Sequence, residues 1–209
     1  MTIPLSPAPR PHVAIILLAA GESSRMGQPK QLLLWQALPL VQYQIRQAQL
    51  STARELVVVV GHELAKVQPL AQKAVQPGRG KVIVNPDYAE GKTTSIKAGI
   101  RAAPTATAYI LLAVDQPRPV AVLQALIDAH LKNRALISVP SYHGKHGHPP
   151  MFDASLAKEL LASSEEKQGI KEVVERHREA LQEVPLSDPI VTTNLNTLAD
   201  YEAAKAKWG

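Results

Sequence analysis

The chain of 209 residues is 45% hydrophobic and 20% charged, a globular balance with enough length to bury a substantial core, which argues against disordered and membrane-spanning classes. It has no cysteine, which removes disulfides, thiolate metal sites and a cysteine nucleophile. The formal net charge of +5 points to an anionic partner, but aromatics are only 4% of the chain, too few for the stacking platforms of single-stranded nucleic-acid binding. A small anion such as a nucleotide is expected instead, with neither nucleic acid nor membrane as partner.

Residues 1–11 carry four prolines and no basic or apolar signal segment, so they read as a flexible leader. Without an export signal the cytoplasm is the expected compartment. Residues 12–209 read as one domain, since no internal repeat or interdomain linker interrupts them. Five short apolar runs rich in β-branched residues follow: 12–20, 55–61, 81–85, 109–115 and 135–140. Each is apolar on both faces, as a strand covered by helices on both sides must be. Between them lie helical patterns. Thr93 or Thr94 is expected to N-cap a helix carrying Ile96 and Ile100, and Pro119 to occupy the first turn of a helix with a stripe of Val122, Leu123, Leu126 and Ile127. Short strands are expected at 183–186 and 190–193, and a terminal helix at 198–207. The alternation predicts an α/β fold, Rossmann-like, with a mostly parallel sheet between two helix layers.

In such folds ligands bind beyond the carboxyl ends of the strands. The loop after the first strand, "LAAGESSRMGQPK" (18–30), is the first candidate. Gly21 and Gly27 are expected to permit backbone conformations that a Cβ would obstruct and to turn N–H groups toward a ligand. Ser23 and Ser24 add hydroxyl donors. Arg25 offers a planar fork for phosphate oxygens and Lys30 a mobile point charge. The spacing matches neither G-x-G-x-x-G nor G-x-x-x-x-G-K-[ST]. "EGKTTS" (90–95) mimics the tail of the latter, but its first glycine would fall on Pro86, which has no N–H to give. Asp115 closes an apolar strand at the same sheet edge and suits Mg²⁺, which keeps several waters and needs one or two protein carboxylates; the competing role is a helix N-cap. His143, His146 and His148 in "HGKHGH" lack a nearby carboxylate or cysteine and read as a substrate loop before a metal site.

Several stretches together resemble the nucleotidyltransferases of the molybdenum cofactor cytidylyl- and guanylyltransferase kind. They are "LAAGESSRMGQPK", "NPDYAEGKTTSIKAGI" (85–100), "LLAVDQP" (111–117), "GHPPMF" (147–152) and "NLNTLADY" (194–201), in the family's order over roughly 12–205. Leu-Ala-Ala-Gly at 18–21 is similar to the cytidylyltransferase branch. The resemblance implies Mg²⁺ held by Asp115 and Asn196, and CTP as donor ahead of GTP. It implies nucleotide contacts from Leu18, Ala19, Ala20, Gly21, Ser23, Ser24, Arg25, Gly27, Lys30, Asn85, Thr94 and Ser95, with Arg25, Lys30 and Asp115 catalytic. It places Gly147, His148 and Pro149 on the acceptor side and implies a pterin-type acceptor, with a molybdoenzyme or its maturation factor as a further partner. Two features depart from the family: Pro150 replaces an aliphatic residue, and "EEKQGIKEVVERH" (165–177) keeps Gly169 and Lys171 but no clear counterpart of a family aspartate. Transfer to a sugar, polyol or other small phosphorylated metabolite is therefore the alternative, and a non-catalytic nucleotide-binding or cofactor-handing protein a third reading.

Overall fold

The computed structural model describes residues 11–23 and 26–209; the proline-rich leader lies, but for Pro11, outside the described residues. Eight strands form one sheet. Strand β1 (Val13–Ala19) is central, flanked by β4 (Glu55–Val60) and β6 (Ala108–Ala113), both parallel to it; β5 (Gly80–Val84) extends the sheet beyond β4. On the other side β9 (Met151–Asp153) runs antiparallel between β6 and β7 (Ile137–Tyr142). β10 (Leu181–Pro185) closes that edge parallel to β7, against which β8 (Lys145–His146) folds back. All five expected strands are present within two residues. Among the described residues the interposed β9 and the short β8 break the parallel order of this sheet.

Every side chain of β1 is buried, and alternation sends the two halves of the set to different layers. Val13, Ile15, Leu17 and Ala19 pack with α1 (Leu40–Leu50), α2 (Leu64–Ala74), α4 (Val120–Asn133) and α7 (Leu198–Trp208). Ala14, Ile16, Leu18 and Ala20 pack with α3 (Lys92–Ala102), α5 (Ala157–Ala162) and α6 (Ile170–Arg176). The result is three layers, α/β/α. On the second face α3 lies so close to β1 that a Cβ on Gly99 would run into Ile16. That contact fixes the height at which the amino end of α3 stands over the sheet.

Three local expectations are corrected. Residues 190–193 form no strand: Pro189–Thr192 is a 3-10 turn opened by Asp188, whose Oδ1 accepts from Ile190 N. Pro119 stands one residue before α4, at its N-cap. Neither Thr93 nor Thr94 caps α3. The N-cap is Gly91 at φ 122°, and the cap is supplied from afar by Glu165, whose Oε1 accepts from Thr93 N at 2.7 Å. A Cβ on Gly91 would run into that Glu165 side chain. A two-strand hairpin of β2 (Leu34–Trp35) and β3 (Leu38–Pro39) leads into α1. Among the described residues no helix is long and apolar enough to cross a membrane.

Candidate active site

Strands β1 and β6 pair in parallel and end side by side, Leu18 opposite Ala113. The loops leaving them therefore meet at one edge, where the amino end of α3 also arrives. A cleft of about 230 Å³ opens there. Its walls include Leu18, Ala20, Gly21 and Ser23 from the β1 loop, Lys30 and Gln31 from the turn after it, and Tyr88, Gly91, Lys92 and Ser95 around the start of α3, with Ala113, Val114 and Asp115 from the end of β6.

Asp115 is held from several sides. Buried Gln44 of α1 donates to Ala113 O and Gln116 O and accepts from Arg118 N. Leu195 N donates to Asp115 O at 2.9 Å, and Gln116 Nε2 donates to Asn194 Oδ1 at 2.6 Å. The Asp115 side chain keeps 27% of its surface open, and its Oδ2 accepts from Lys30 Nζ at 2.8 Å. It caps no helix, since α4 begins at Val120. Lys30 is almost wholly buried, and its backbone N–H is tied to Ser23 Oγ at 3.1 Å.

The β1 loop achieves its path differently from the expectation. Gly21 does not have positive φ, and a Cβ there would meet nothing within 4 Å; the left-handed positions are Ser23 (φ 59°) and Gly27 (φ 66°). Gly21 thus leaves room in the cleft wall, while Gly27 provides the turn. Ala19 and Gly21 present their carbonyls to Gln31 Nε2, both at 2.9 Å. The buried Oε1 of Gln31 has no donor among the described residues.

Leu18, Ala20, Gly21, Ser23, Lys30, Ser95 and Asp115 are thus brought together. Ser24 and Arg25 lie outside the described residues. Ala19 and Gly27 support the loop without lining the cleft. Asn85 is buried and spends its amide on Thr94 Oγ1 and Ser95 Oγ, both at 2.9 Å, so it shapes the approach to α3. Thr94 turns back onto Asp87 O and Gly91 O. Asn196 follows Leu195, which is bonded to Asp115, but does not line the cleft.

Gly147, His148 and Pro149 form a neighbouring loop, fixed where Gly147 N donates to Pro140 O and His148 N to Val191 O. Burial lowers the His148 imidazole to about 4, the cations of Lys92 and Arg118 push the same way, and Asp115 opposes. His148 is therefore neutral at pH 7, and it feels the charges of the cleft. Of the other two histidines of this loop, His146 pairs with Glu183 at 2.8 Å, and His143 packs edge-on to Tyr142. No group of three or more metal-ligating side chains occurs among the described residues.

Four residues passed over in the sequence shape the site. Arg118 is fully buried and donates to the carbonyls of Pro117, His148, Val191 and Thr193 at 2.8–3.0 Å. Burial pushes its pKa down to about 9, with Asp115 and Asp188 opposing, so the guanidinium stays charged at neutral pH. Lys92 lies in the tail dismissed as a mimic, and Glu165 in the divergent stretch. Gln31 follows Lys30 directly. Glu165 and Arg118 take partners far along the chain, a signal that sequence spacing does not carry.

A cleft with a lysine paired to a carboxylate, beyond the carboxyl ends of parallel strands, lies where an open α/β sheet of this kind binds its ligand. A family model described as a MobA-like NTP transferase domain matches residues 15–184. The chain belongs to that family and is a nucleotidyltransferase. It is 33% identical over 156 residues to nicotine blue oxidoreductase of Paenarthrobacter nicotinovorans, covering 70% of this chain and 73% of that protein. It is 30% identical over 134 residues to molybdenum cofactor cytidylyltransferase of Escherichia coli K12, covering 64% and 66%. Rv0371c of Mycobacterium tuberculosis H37Rv superposes with a TM-score of 0.79 at 25% identity, over 94% of this chain and 98% of that one. A complex of Rv0371c with manganese superposes at 0.74, with 24% identity, over 93% and 98%.

Proposed function

We propose that this nucleotidyltransferase takes CTP, ahead of GTP, and moves its nucleoside monophosphate onto a phosphate of molybdopterin or its molybdenum-loaded form. The observation that carries the reading is the Lys30–Asp115 pair set against the β1 loop in one cleft. The relative named a molybdenum cofactor cytidylyltransferase supports the choice of donor and acceptor. A phosphate oxygen of the acceptor attacks the α-phosphorus, forming the new P–O bond. The bond from that phosphorus to the bridging oxygen breaks, and pyrophosphate leaves with its electron pair. Such a transfer asks the protein for positioning and charge neutralisation more than for covalent chemistry. Lys30, with Arg25 of the same loop, neutralises the triphosphate, and the backbone from Leu18 to Gly21 faces the nucleoside.

The site suits Mg²⁺ or a similar divalent ion. Asp115 is part-exposed and has an oxygen not engaged by Lys30. The lack of a three-ligand cluster among the described residues fits an ion that arrives with the phosphates and keeps its waters. Asp115, with Asn196 next to the Leu195 whose N–H donates to Asp115 O, would hold the ion, which would supply charge neutralisation at the phosphates. The reaction is assigned to the cytoplasm, where the nucleotide is available, with a molybdoenzyme or its maturation factor as receiver.

The test is pyrophosphate release with CTP, GTP and ATP across a panel of acceptors. Release with CTP and molybdopterin, lost in Asp115→Ala, is the expected result. Release only with a sugar or polyol phosphate overturns the pterin assignment, and binding without release under any acceptor makes the chain a non-catalytic nucleotide carrier. The relative named an oxidoreductase favours a second reading, redox chemistry in the same cleft; turnover of a redox substrate with no pyrophosphate formed would establish it.

A further inference from the structure

Lys92 is the cation that the nucleotide reading leaves without a task. Lys30 already has Asp115 at 2.8 Å. Lys92 lines the same cleft, is exposed, and makes no ion pair or side-chain hydrogen bond among the described residues. Its backbone is held firmly. It opens α3 directly after Gly91, whose missing Cβ admits Glu165, and Glu165 in turn caps the next residue at Thr93 N. The helix end is thus already served by a carboxylate, so the free positive group is the ammonium itself. The cleft walls crowd it and lower its pKa, with Asp115 first and Glu165 second pulling the other way. Its charge also acts on His148 of the Gly147–Pro149 loop, lowering that imidazole together with burial.

We propose that Lys92 is the anchor for an anionic phosphate of the acceptor, making the enzyme selective for phosphomonoester acceptors over neutral alcohols. The inference rests on the nucleotidyltransfer reading of the cleft. An ammonium in a cleft with no partner of its own among the described residues gains a charge-assisted hydrogen bond when a phosphate arrives. Lys30 is less suited to that role, because it is almost wholly buried and already assigned to the triphosphate.

The experiment uses the full chain with Mg²⁺ and the non-transferable analogue α,β-methylene-CTP, and titrates inorganic phosphate by calorimetry. Wild type and Lys92→Arg should bind phosphate alike, and Lys92→Gln should bind it about tenfold more weakly, with analogue affinity unchanged within roughly twofold. Equal phosphate affinity in wild type and Lys92→Gln overturns the proposal, as does no phosphate binding by the wild type. A parallel loss of analogue affinity in Lys92→Gln also overturns it and assigns Lys92 to the triphosphate. If the wild type binds no analogue, the donor reading fails. Phosphate titration of the unloaded protein then still decides the role of Lys92 by the same comparison.

Discussion

At Asp115 two demands compete for one carboxylate. A metal needs its oxygens, yet Lys30 Nζ holds Oδ2 at 2.8 Å with both side chains largely sheltered. An ammonium so close raises the cost of placing a dication on the same group. Free metal should therefore bind poorly until a triphosphate draws Lys30 away. Lys30→Met should bind Mn²⁺ in the absence of nucleotide about tenfold more tightly than wild type, as followed by electron paramagnetic resonance. Unchanged or weaker binding would show that Asp115 is not the metal ligand. His148 gives a second residue-scale test. Its folded value is about 4 against about 6.5 in the unfolded chain. Between those values the unfolded chain takes the proton and the folded one does not, so stability falls as pH drops through that window. His148→Gln should lose about 2 kcal/mol less than wild type between pH 7 and pH 4.5 in urea denaturation. Parallel losses would mean that the imidazole keeps its ordinary value.

Arg118 acts at the scale of elements, because its guanidinium ties the turn after β6 to the His148 loop and to the 3-10 turn at Pro189–Thr192. Arg118→Met would fill similar volume but orphan carbonyls of all three segments. A loss of about 3–5 kcal/mol in urea unfolding is expected, and a loss under about 1 kcal/mol would make the clamp dispensable. The clamp also shows where sequence reading stopped. The strands were legible, because 55–60 and 108–113 are apolar on both faces and only a sheet covered on both sides asks for that. Helices α1 and α2 were not: α1 interleaves Gln42, Gln44 and Gln49 with its apolar face, and α2 carries Pro69. The glutamines are there to reach backbone carbonyls elsewhere, Gln44 at Ala113 and Gln116, Gln42 at Leu70. The glycine loop and Asp115 were legible in the site because each sits beside a strand that announces itself. Glu165 and Arg118 take their meaning from partners far along the chain, and Lys92 from a cleft that only the folded chain assembles.

For the molecule as a whole, the cleft belongs to no single element. Its walls come from the loop after β1, the start of α3 and the end of β6, and α3 is itself capped by Glu165 from the connection between α5 and α6. Unfolding any of these segments dismantles the site, so a nucleotide that fits it binds the folded chain alone. Such a ligand at a hundredfold excess over its dissociation constant stabilises the fold by about 2.7 kcal/mol. For a chain of this length that corresponds to a rise in Tm of roughly 5–10 °C. CTP with Mg²⁺ should give this shift by differential scanning calorimetry. Asp115→Ala should show a much smaller shift at the same concentrations, because the charge that receives the metal–phosphate unit is gone. CTP without a divalent ion should fall between the two, since Lys30 remains to meet the phosphates while the charge that a metal would offset stays uncompensated. An equal shift in wild type and Asp115→Ala would place the nucleotide away from this cleft, and with it the chemistry assigned to the three charged groups that meet there.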